Sequence, residues 1–140
     1  MKLVPYIVMQ GNAEEAVQFY RKVLDAEAIF VQRFGDMPSA PGHTLPEGMS
    51  DKIAHAHLKA GDAELMLYDT FPGSPIQQGN QVTICIQLDN VDKSKRIFAL
   101  LKEGGQVRHE LEETFFSPAF GTVTDKFGVT FTVSTDPQPS

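Results

Sequence analysis

Apolar and polar positions follow the same order twice along the chain. Residues 3–10 are an apolar run rich in strand-forming types, and Asn12 then precedes Ala13–Leu24, whose apolar positions recur every three or four residues. The same order returns at residues 81–88, Asn90 and Val91–Leu101. The first pattern is typical of a strand and the second of a helix with one buried face. The pattern therefore predicts two similar units, each with a strand followed by an amphipathic helix.

Shorter apolar runs bounded by turn residues follow each helix. Asn12 with Glu15 three positions on is a variant of the capping box, so the first helix is predicted to begin after Asn12. The later runs predict strands at residues 28–34, 53–59, 64–69, 106–110, 122–125 and 129–134. Each unit is therefore predicted to consist of a strand, a helix and three further strands.

Stretches rich in polar and turn-forming residues lie between these elements. Residues 35–50 contain three prolines and three glycines, and we interpret them as a long loop, with Asp36 and Met37 near its start, that can close over a ligand. We interpret residues 73–80 as a linker and residues 136–140 as a polar tail. Residues 1–140 are expected to form one domain, with its units at about 1–72 and 81–135.

Composition excludes several classes of partner. The 140 residues carry a net charge of −6, and the lysines and arginines are scattered, so we expect neither nucleic acid nor a membrane surface as partner. No apolar run reaches the ~20 residues of a membrane helix. Cys85 is the only cysteine and leaves no internal disulfide, and the N-terminal residues show no targeting pattern. We therefore expect a cytoplasmic protein with a small-molecule partner.

Strand alternation predicts which side chains face away from the helices. Ala54, Ala56 and Leu58 form one apolar face of their strand, so Ile53, His55, His57 and Lys59 are placed on the other. A set of residues is assigned to a candidate ligand-binding cleft. They are Ile7, Met9, His55, His57, Glu64, Met66, Tyr68, Thr83, Cys85, Gln87, Phe115, Phe116, Thr130 and Thr132.

Five segments carry a resemblance to a known family. They are NAEEAVQFYRKVL, FGDMP, KIAHAHLKAG, ELMLYD and ETFFSPAFGTVTDKFGVTF, and together they resemble the PhnB-like branch of the vicinal oxygen chelate superfamily. The resemblance covers nearly the whole chain. It implies an α+β fold in which two βαβββ modules form an incomplete barrel around a cleft, with the helices outside, and it implies a homodimer. Long exposed edge strands would also favour pairing with a second copy.

The resemblance also implies where metal ligands would lie. Metal enzymes of the superfamily take one ligand from the first and the fourth strand of each module, and the matching positions here are Pro5, Met66, Thr83 and Thr132. None of these residues is a good ligand for a divalent ion. We therefore expect no metal site at those positions and no cofactor.

His55 and His57 are the candidate catalytic residues. Residues i and i+2 of a strand point the same way, so the two imidazoles could hold a relocated divalent metal with Glu64 or act as acid and base. The alternative is that both are polar residues of a binding cleft.

Cys85 between Ile84 and Ile86 is interpreted as a small packing residue rather than a nucleophile. Phe115 and Phe116 either pack in the core or stack on a ligand.

Two functions remain open at this point. The first is binding of a small molecule in the cleft between the modules without the usual metal. The second is an enzyme that uses His55 and His57, with Glu64, on an oxygen-bearing substrate. Glyoxalase I chemistry is disfavoured because its metal ligands are missing, and a methyltransferase is disfavoured because the chain lacks a glycine-rich nucleotide-binding turn. A phosphonate would need several basic groups, and only Lys59, Arg108 and His109 are placed near the cleft.

Overall fold

The chain divides into two compact units, Met1–Gln77 and Gln78–Ser140, and the computed structural model describes residues 1–38 and 44–137. The first unit contains β1 (Tyr6–Met9), α1 (Ala13–Leu24), β2 (Glu27–Arg33), β3 (Ile53–Ala60) and β4 (Ala63–Asp69). The second contains β5 (Ile84–Leu88), α2 (Val91–Leu101), β6 (Gln106–Glu112), β7 (Phe120–Thr124) and β8 (Thr130–Thr135). The predicted α+β class, with the order βαβββ twice, is confirmed.

Each unit has one open, mixed, four-stranded sheet. The strand orders are β1-β4-β3-β2 and β5-β8-β7-β6, so equivalent strands occupy equivalent places. The first strand of each unit pairs in parallel with the fourth, and the other pairings are antiparallel. The crossover between the parallel strands contains the helix, which therefore covers one face of its own sheet.

Both helices have the predicted bounds because their apolar positions follow a helical period over three turns. α1 packs on β3 and β4 and buries a continuous stripe: Ala13, Ala16, Val17, Phe19, Tyr20 and Val23. α2 packs on β7 and β8 and buries Ser94, Ile97, Phe98 and Leu101. Within the described ranges, no helix is long and apolar enough to cross a membrane.

The predicted capping box at Asn12 is wrong. The Asn12 side chain forms no capping bond; instead, Oδ1 of Asp69 accepts hydrogen bonds from the backbone N–H of Gly11 at 2.8 Å and of Ala13 at 2.9 Å. Oδ2 of the same carboxylate accepts from the N–H of Ile53 at 3.0 Å, and Asp69 is only 1% exposed. The negative charge also complements the positive end of the helix dipole. In α2 the cap is local, since Asn90 Oδ1 accepts from the N–H of Lys93 at 2.8 Å.

Two strands begin later than predicted, and one segment is only partly described. β1 begins at Tyr6 rather than residue 3, because Pro5 has no N–H to donate to a ladder and contributes only its carbonyl, which accepts from Met66 N–H at 2.9 Å. β5 begins at Ile84 rather than residue 81, and the preceding Val82 is exposed.

The predicted loop at 35–50 starts with a 3-10 turn at Phe34–Asp36. Its residues 39–43, and residues 138–140 of the predicted tail, lie outside the described ranges.

Candidate functional site

The face of the first sheet turned away from α1 carries the predicted histidines. Tyr6, Met66 and His57 lie side by side across β1, β4 and β3, while Leu67 and Ala56 in the neighbouring row are buried. We call this surface the histidine face and define it by the residues that follow. They are Tyr6, Phe30, His55, His57, Glu64, Met66 and Tyr68.

Three residues assigned to this face lie on the other side of the sheet. Ile7 pairs with the buried Leu67, and Met9 is itself buried beside Asp69, so neither belongs to the histidine face. Ile53 is fully buried as well. A register shift at the start of β3, where Gln32 pairs with His55 and Arg33 with Ile53, inserts one extra residue and moves Ile53 to the helix side.

His55 is held by aromatic neighbours. Tyr6 Oη lies 2.9 Å from His55 Nδ1, and the two rings meet edge to face with centroids 5.4 Å apart. Tyr68 and Phe30 contact the same group, with Tyr68 5.0 Å from the Tyr6 ring and Phe30 5.8 Å from the His55 ring. Desolvation, followed by the neighbouring Tyr68, raises the pKa of Tyr6 above its ordinary value of 10.0. Tyr6 is therefore protonated at neutral pH, and its hydroxyl shares one hydrogen bond with His55 Nδ1, whose direction is set by the His55 tautomer.

His57 is paired with a carboxylate. Its Nε2 lies 2.7 Å from Glu64 Oε1, and the other oxygen of Glu64 forms an ion pair with Lys2. Hydrogen bonds from Lys2 and then His57 lower the pKa of Glu64 below its ordinary value of 4.5. Glu64 is therefore ionised at neutral pH and can only accept, so His57 Nε2 carries the hydrogen, and in the neutral imidazole the lone pair is on Nδ1.

The donor set does not fit the metal site that the superfamily implies. The register places Tyr6, not Pro5, opposite Met66, and Cys85 opposite Thr132. A phenol, a thioether, a protonated thiol and a hydroxyl are poor ligands for a hard divalent ion. In the described part of the chain, no group of three or more His, Cys, Asp and Glu side chains is placed to hold a metal. The rings of His55 and His57 are 6.4 Å apart, centroid to centroid.

The second sheet presents hydroxyl groups on the face turned away from α2. Phe131 and Val133 are buried, while the alternating positions form what we call the threonine face: Thr83, Thr122, Thr124, Thr130 and Thr132. Cys85 and Gln87 are exposed beside it, and Gln87 donates to Asp136. The interpretation of Cys85 as a buried packing residue is therefore wrong, although partial desolvation raises the pKa of its thiol above the ordinary 9.0.

Phe115 and Phe116 do not pack in the core. Phe115 is fully exposed and Phe116 is 47% exposed, with its ring 4.9 Å from that of Phe120. Thr114 holds this turn, since its Oγ1 accepts from the N–H groups of Phe116 and Ser117 at 3.3 and 3.0 Å. The alternative, stacking on a ligand, stays a prediction.

Sequence reasoning missed some residues of both faces. Tyr6 and Phe30 were missed because the sequences of β1 and β2 contain continuous apolar runs without alternation. Lys2 was missed because its partner, Glu64, lies 62 residues away. Thr122 and Thr124 alternate with the buried Val123, and that pattern was the available signal for them.

The repeated βαβββ order, with one helix on one side of an open sheet in each unit, defines a protein of the glyoxalase-like fold class. Residues 2–133 match the Glyoxalase/Bleomycin resistance protein/Dioxygenase superfamily, and the chain belongs to this family. The superfamily predicted from the sequence segments is thus confirmed.

Three similar proteins refine this placement. The chain is 31% identical to protein YjdN of Escherichia coli strain K12, over 96% of this chain and 95% of that one. It is similar to protein PA1353 from Pseudomonas aeruginosa, with 34% identity, a TM-score of 0.83 and 99% of each chain covered. The PhnB protein from Bacillus cereus shares the fold, with 22% identity, a TM-score of 0.78 and coverage of 96% and 99%. This last likeness is one of fold.

Proposed function

We propose that this protein binds a small molecule without the divalent metal typical of its superfamily, and that the histidine face contributes to the binding surface. The observation that carries the proposal is that this face combines half-exposed aromatic rings with imidazoles whose orientation is already fixed. Pre-oriented polar groups among apolar ones are typical of small-molecule sites.

The chemistry of the face limits the ligand. Tyr6, Phe30 and Tyr68 offer ring surfaces, and Tyr6 and Phe30 are 52% and 48% exposed. The one carboxylate, Glu64, is already neutralised by Lys2 and hydrogen-bonded to His57. An uncharged planar ring with a hydroxyl or carbonyl group fits such a surface, because it can stack on the rings and bond to an imidazole nitrogen.

Proton NMR of the histidine ring signals tests the proposal directly. The chain has four histidines, and the probes are phenol, 2-pyridone and acetophenone. We expect at least one probe to shift the signals of His55 and His57, which are assigned with His55→Ala and His57→Ala. His109, an exposed histidine of the second unit, is the internal control. Equal shifts at His109, or none at His55 and His57 with any probe, would contradict the proposal.

A second candidate function is proton transfer, and the contact between His57 and Glu64 favours it. Glu64 holds the hydrogen on Nε2, which leaves the Nδ1 lone pair of His57 to take a proton from a carbon beside a carbonyl. The C–H electron pair then forms a C=C bond, and the π pair of the carbonyl moves to its oxygen, giving an enolate. In the tautomer whose Nδ1 accepts from Tyr6, His55 carries its hydrogen on Nε2 and can donate a hydrogen bond to that oxygen, which stabilises the enolate.

Deuterium exchange tests this second candidate. Hydroxyacetone in D2O is followed by NMR for loss of its carbon-bound hydrogens. If the candidate is right, the protein accelerates exchange above the buffer rate, His57→Gln abolishes the acceleration and His109→Gln does not. Exchange at the buffer rate, or acceleration that survives His57→Gln, would exclude His57 as a base.

We also propose a homodimer. β2 lies at an edge of its sheet, and two apolar residues on it, Ile29 and Val31, are 50% and 42% exposed. Such an edge is commonly covered by pairing with another copy. Light scattering during gel filtration should give twice the 15.4 kDa chain mass, and a monomer at micromolar concentration would refute this.

A further inference from the structure

We propose that the threonine face holds a site for a small carboxylate, with Arg108 as the charged group. A cavity of about 570 Å³ lies over this face, and Arg108 and four of the threonines line it. The cavity belongs entirely to the second unit. It is separate from the residues on which the proposed function rests.

The electrostatics of the cavity favour an anion. Arg108 is the one charged side chain among the lining residues, and no carboxylate of residues 1–38 or 44–137 forms an ion pair with it. Its Nε donates to Thr124 Oγ1 at 3.0 Å, which fixes the guanidinium while leaving its two terminal NH2 groups for a ligand. A guanidinium without a counter-ion is a ready partner for an oxyanion.

The hydroxyl groups also have hydrogens to donate. Thr124 and Thr130 are 2.8 Å apart through their Oγ1 atoms, and their mutual bond uses one of the two hydroxyl hydrogens whichever residue donates. One hydrogen therefore remains for a third partner. Thr132 lies 3.3 Å from Thr83 and 3.5 Å from Thr122, so at most two of these three hydrogens are used. Both clusters can donate to an acceptor in the cavity.

A glycine shapes one side of the cavity. Gly128 has a φ of +87°, and a Cβ there would clash with the side-chain amide of Gln78. The absence of a side chain lets this amide lie across the β7–β8 turn, where Gln78 and Gly128 both line the cavity. The amide adds a further neutral donor to the site.

A carboxylate matches this set better than a phosphate. The terminal nitrogens of one guanidinium can bond both carboxylate oxygens, and one positive charge balances one negative charge. A doubly charged phosphate would require a second cation, and the lining residues include none. Neutral hydroxyls around Arg108 also suit an α-hydroxy acid, whose own hydroxyl can join their network.

Calorimetric titration with L-lactate, at constant ionic strength, tests the site with a matched pair of variants. Arg108→Gln removes the proposed anchor, whereas Arg96→Gln removes the same charge from an exposed position on α2. We expect lactate to bind the wild type and the Arg96 variant equally, with at least tenfold weaker binding to Arg108→Gln. Absence of binding to the wild type, or equal weakening by both variants, would overturn the proposal. Tighter binding of inorganic phosphate than of lactate would overturn the assignment to a carboxylate.

Two further measurements separate the site from a structural role of its residues. Lactate should slow modification of Arg108 by phenylglyoxal, followed by peptide mass spectrometry, and leave Arg96 unprotected. Thr124 is a positioning residue, so Thr124→Val should weaken lactate binding and Thr124→Ser should restore it, with unchanged circular dichroism. Equal protection of both arginines would refute the site. These readouts come from the second unit and do not depend on the histidine signals.

Discussion

The two units of this protein share their element order, strand order and helix positions, yet their outward faces differ in chemistry. The first unit displays tyrosines and two histidines, of which one is bonded to a tyrosine and the other to a carboxylate, and the second displays threonines beside one arginine. The helix starts differ as well, because Asp69 caps α1 from a distant strand and Asn90 caps α2 locally. The repeat therefore preserves the residues that pack, while the faces turned away from the helices are free to acquire separate chemistry.

The largest predicted effect contrasts the two helix caps. Asp69→Ala leaves two buried N–H groups and one part-buried N–H group without their acceptor. Each loss of a buried partner costs roughly 1–3 kcal/mol, so we expect the free energy of unfolding to fall by about 3 kcal/mol or more. Asn90→Ala should cost about 1 kcal/mol. Urea unfolding followed by circular dichroism measures both. Equal losses would mean that the caps are equivalent despite their different burial.

A second prediction concerns the pH dependence that Glu64 gives to the histidine face. The folded-state pKa of Glu64 lies below 4.5, so its ionised contacts stabilise the fold above pH 4.5, and that contribution is lost as the pH falls through the lower folded value. Glu64→Gln should therefore be less stable than the wild type between pH 5 and 7 and should converge with it in acid. The comparison needs urea unfolding at several pH values. A stability difference that persists unchanged in acid would show that Glu64 acts by packing alone.

The third prediction concerns the ionisation of Tyr6 within the histidine face. Tyr6→Phe should change stability little, since the hydroxyl lies near the surface, but it should remove a phenol that ionises above pH 10.0. Ultraviolet titration at the tyrosinate band detects that loss. Tyr68→Phe is the matched control and should leave the Tyr6 step in place. If Tyr6→Phe removes a step below pH 10, the surroundings of Tyr6 do not raise its pKa.

The smallest predicted effect concerns the only thiol of the chain. Cys85 lies beside the threonine face, and partial desolvation raises its pKa above 9.0, so its reaction with a disulfide reagent should have a pH midpoint above that value. The rate is measured from the released thiolate against free cysteine as reference. A midpoint below that of free cysteine would show that the pKa of Cys85 is lowered and that its thiol is activated, contrary to this prediction.

The sequence predicted the helices and strands more accurately than it predicted which side chains lie on each face of the sheets. The helices were predicted to the residue, because a helical period over eleven or twelve residues offers few alternatives. Tyr6 was missed and Ile7 and Met9 were misplaced because all the residues of β1 are apolar and no alternation marks a side. Ile53 was misplaced by a bulge that adds one residue without altering the composition. The sequence did not predict capping by Asp69, because a local motif at Asn12 offered a simpler explanation and the true acceptor lies 58 residues from Gly11.

The Asp69 cap also has a consequence for the order of folding. Asn90 can secure the first turn of α2 as soon as that turn forms, because its partner is three residues away. The first turn of α1 must wait until the β3–β4 hairpin has brought Asp69 beside Gly11 and Ile53, across a long loop closure. Pulsed amide hydrogen exchange during refolding should therefore detect protection at the start of α2 before protection at the start of α1. The first turns of the two equivalent helices should thus form at different times.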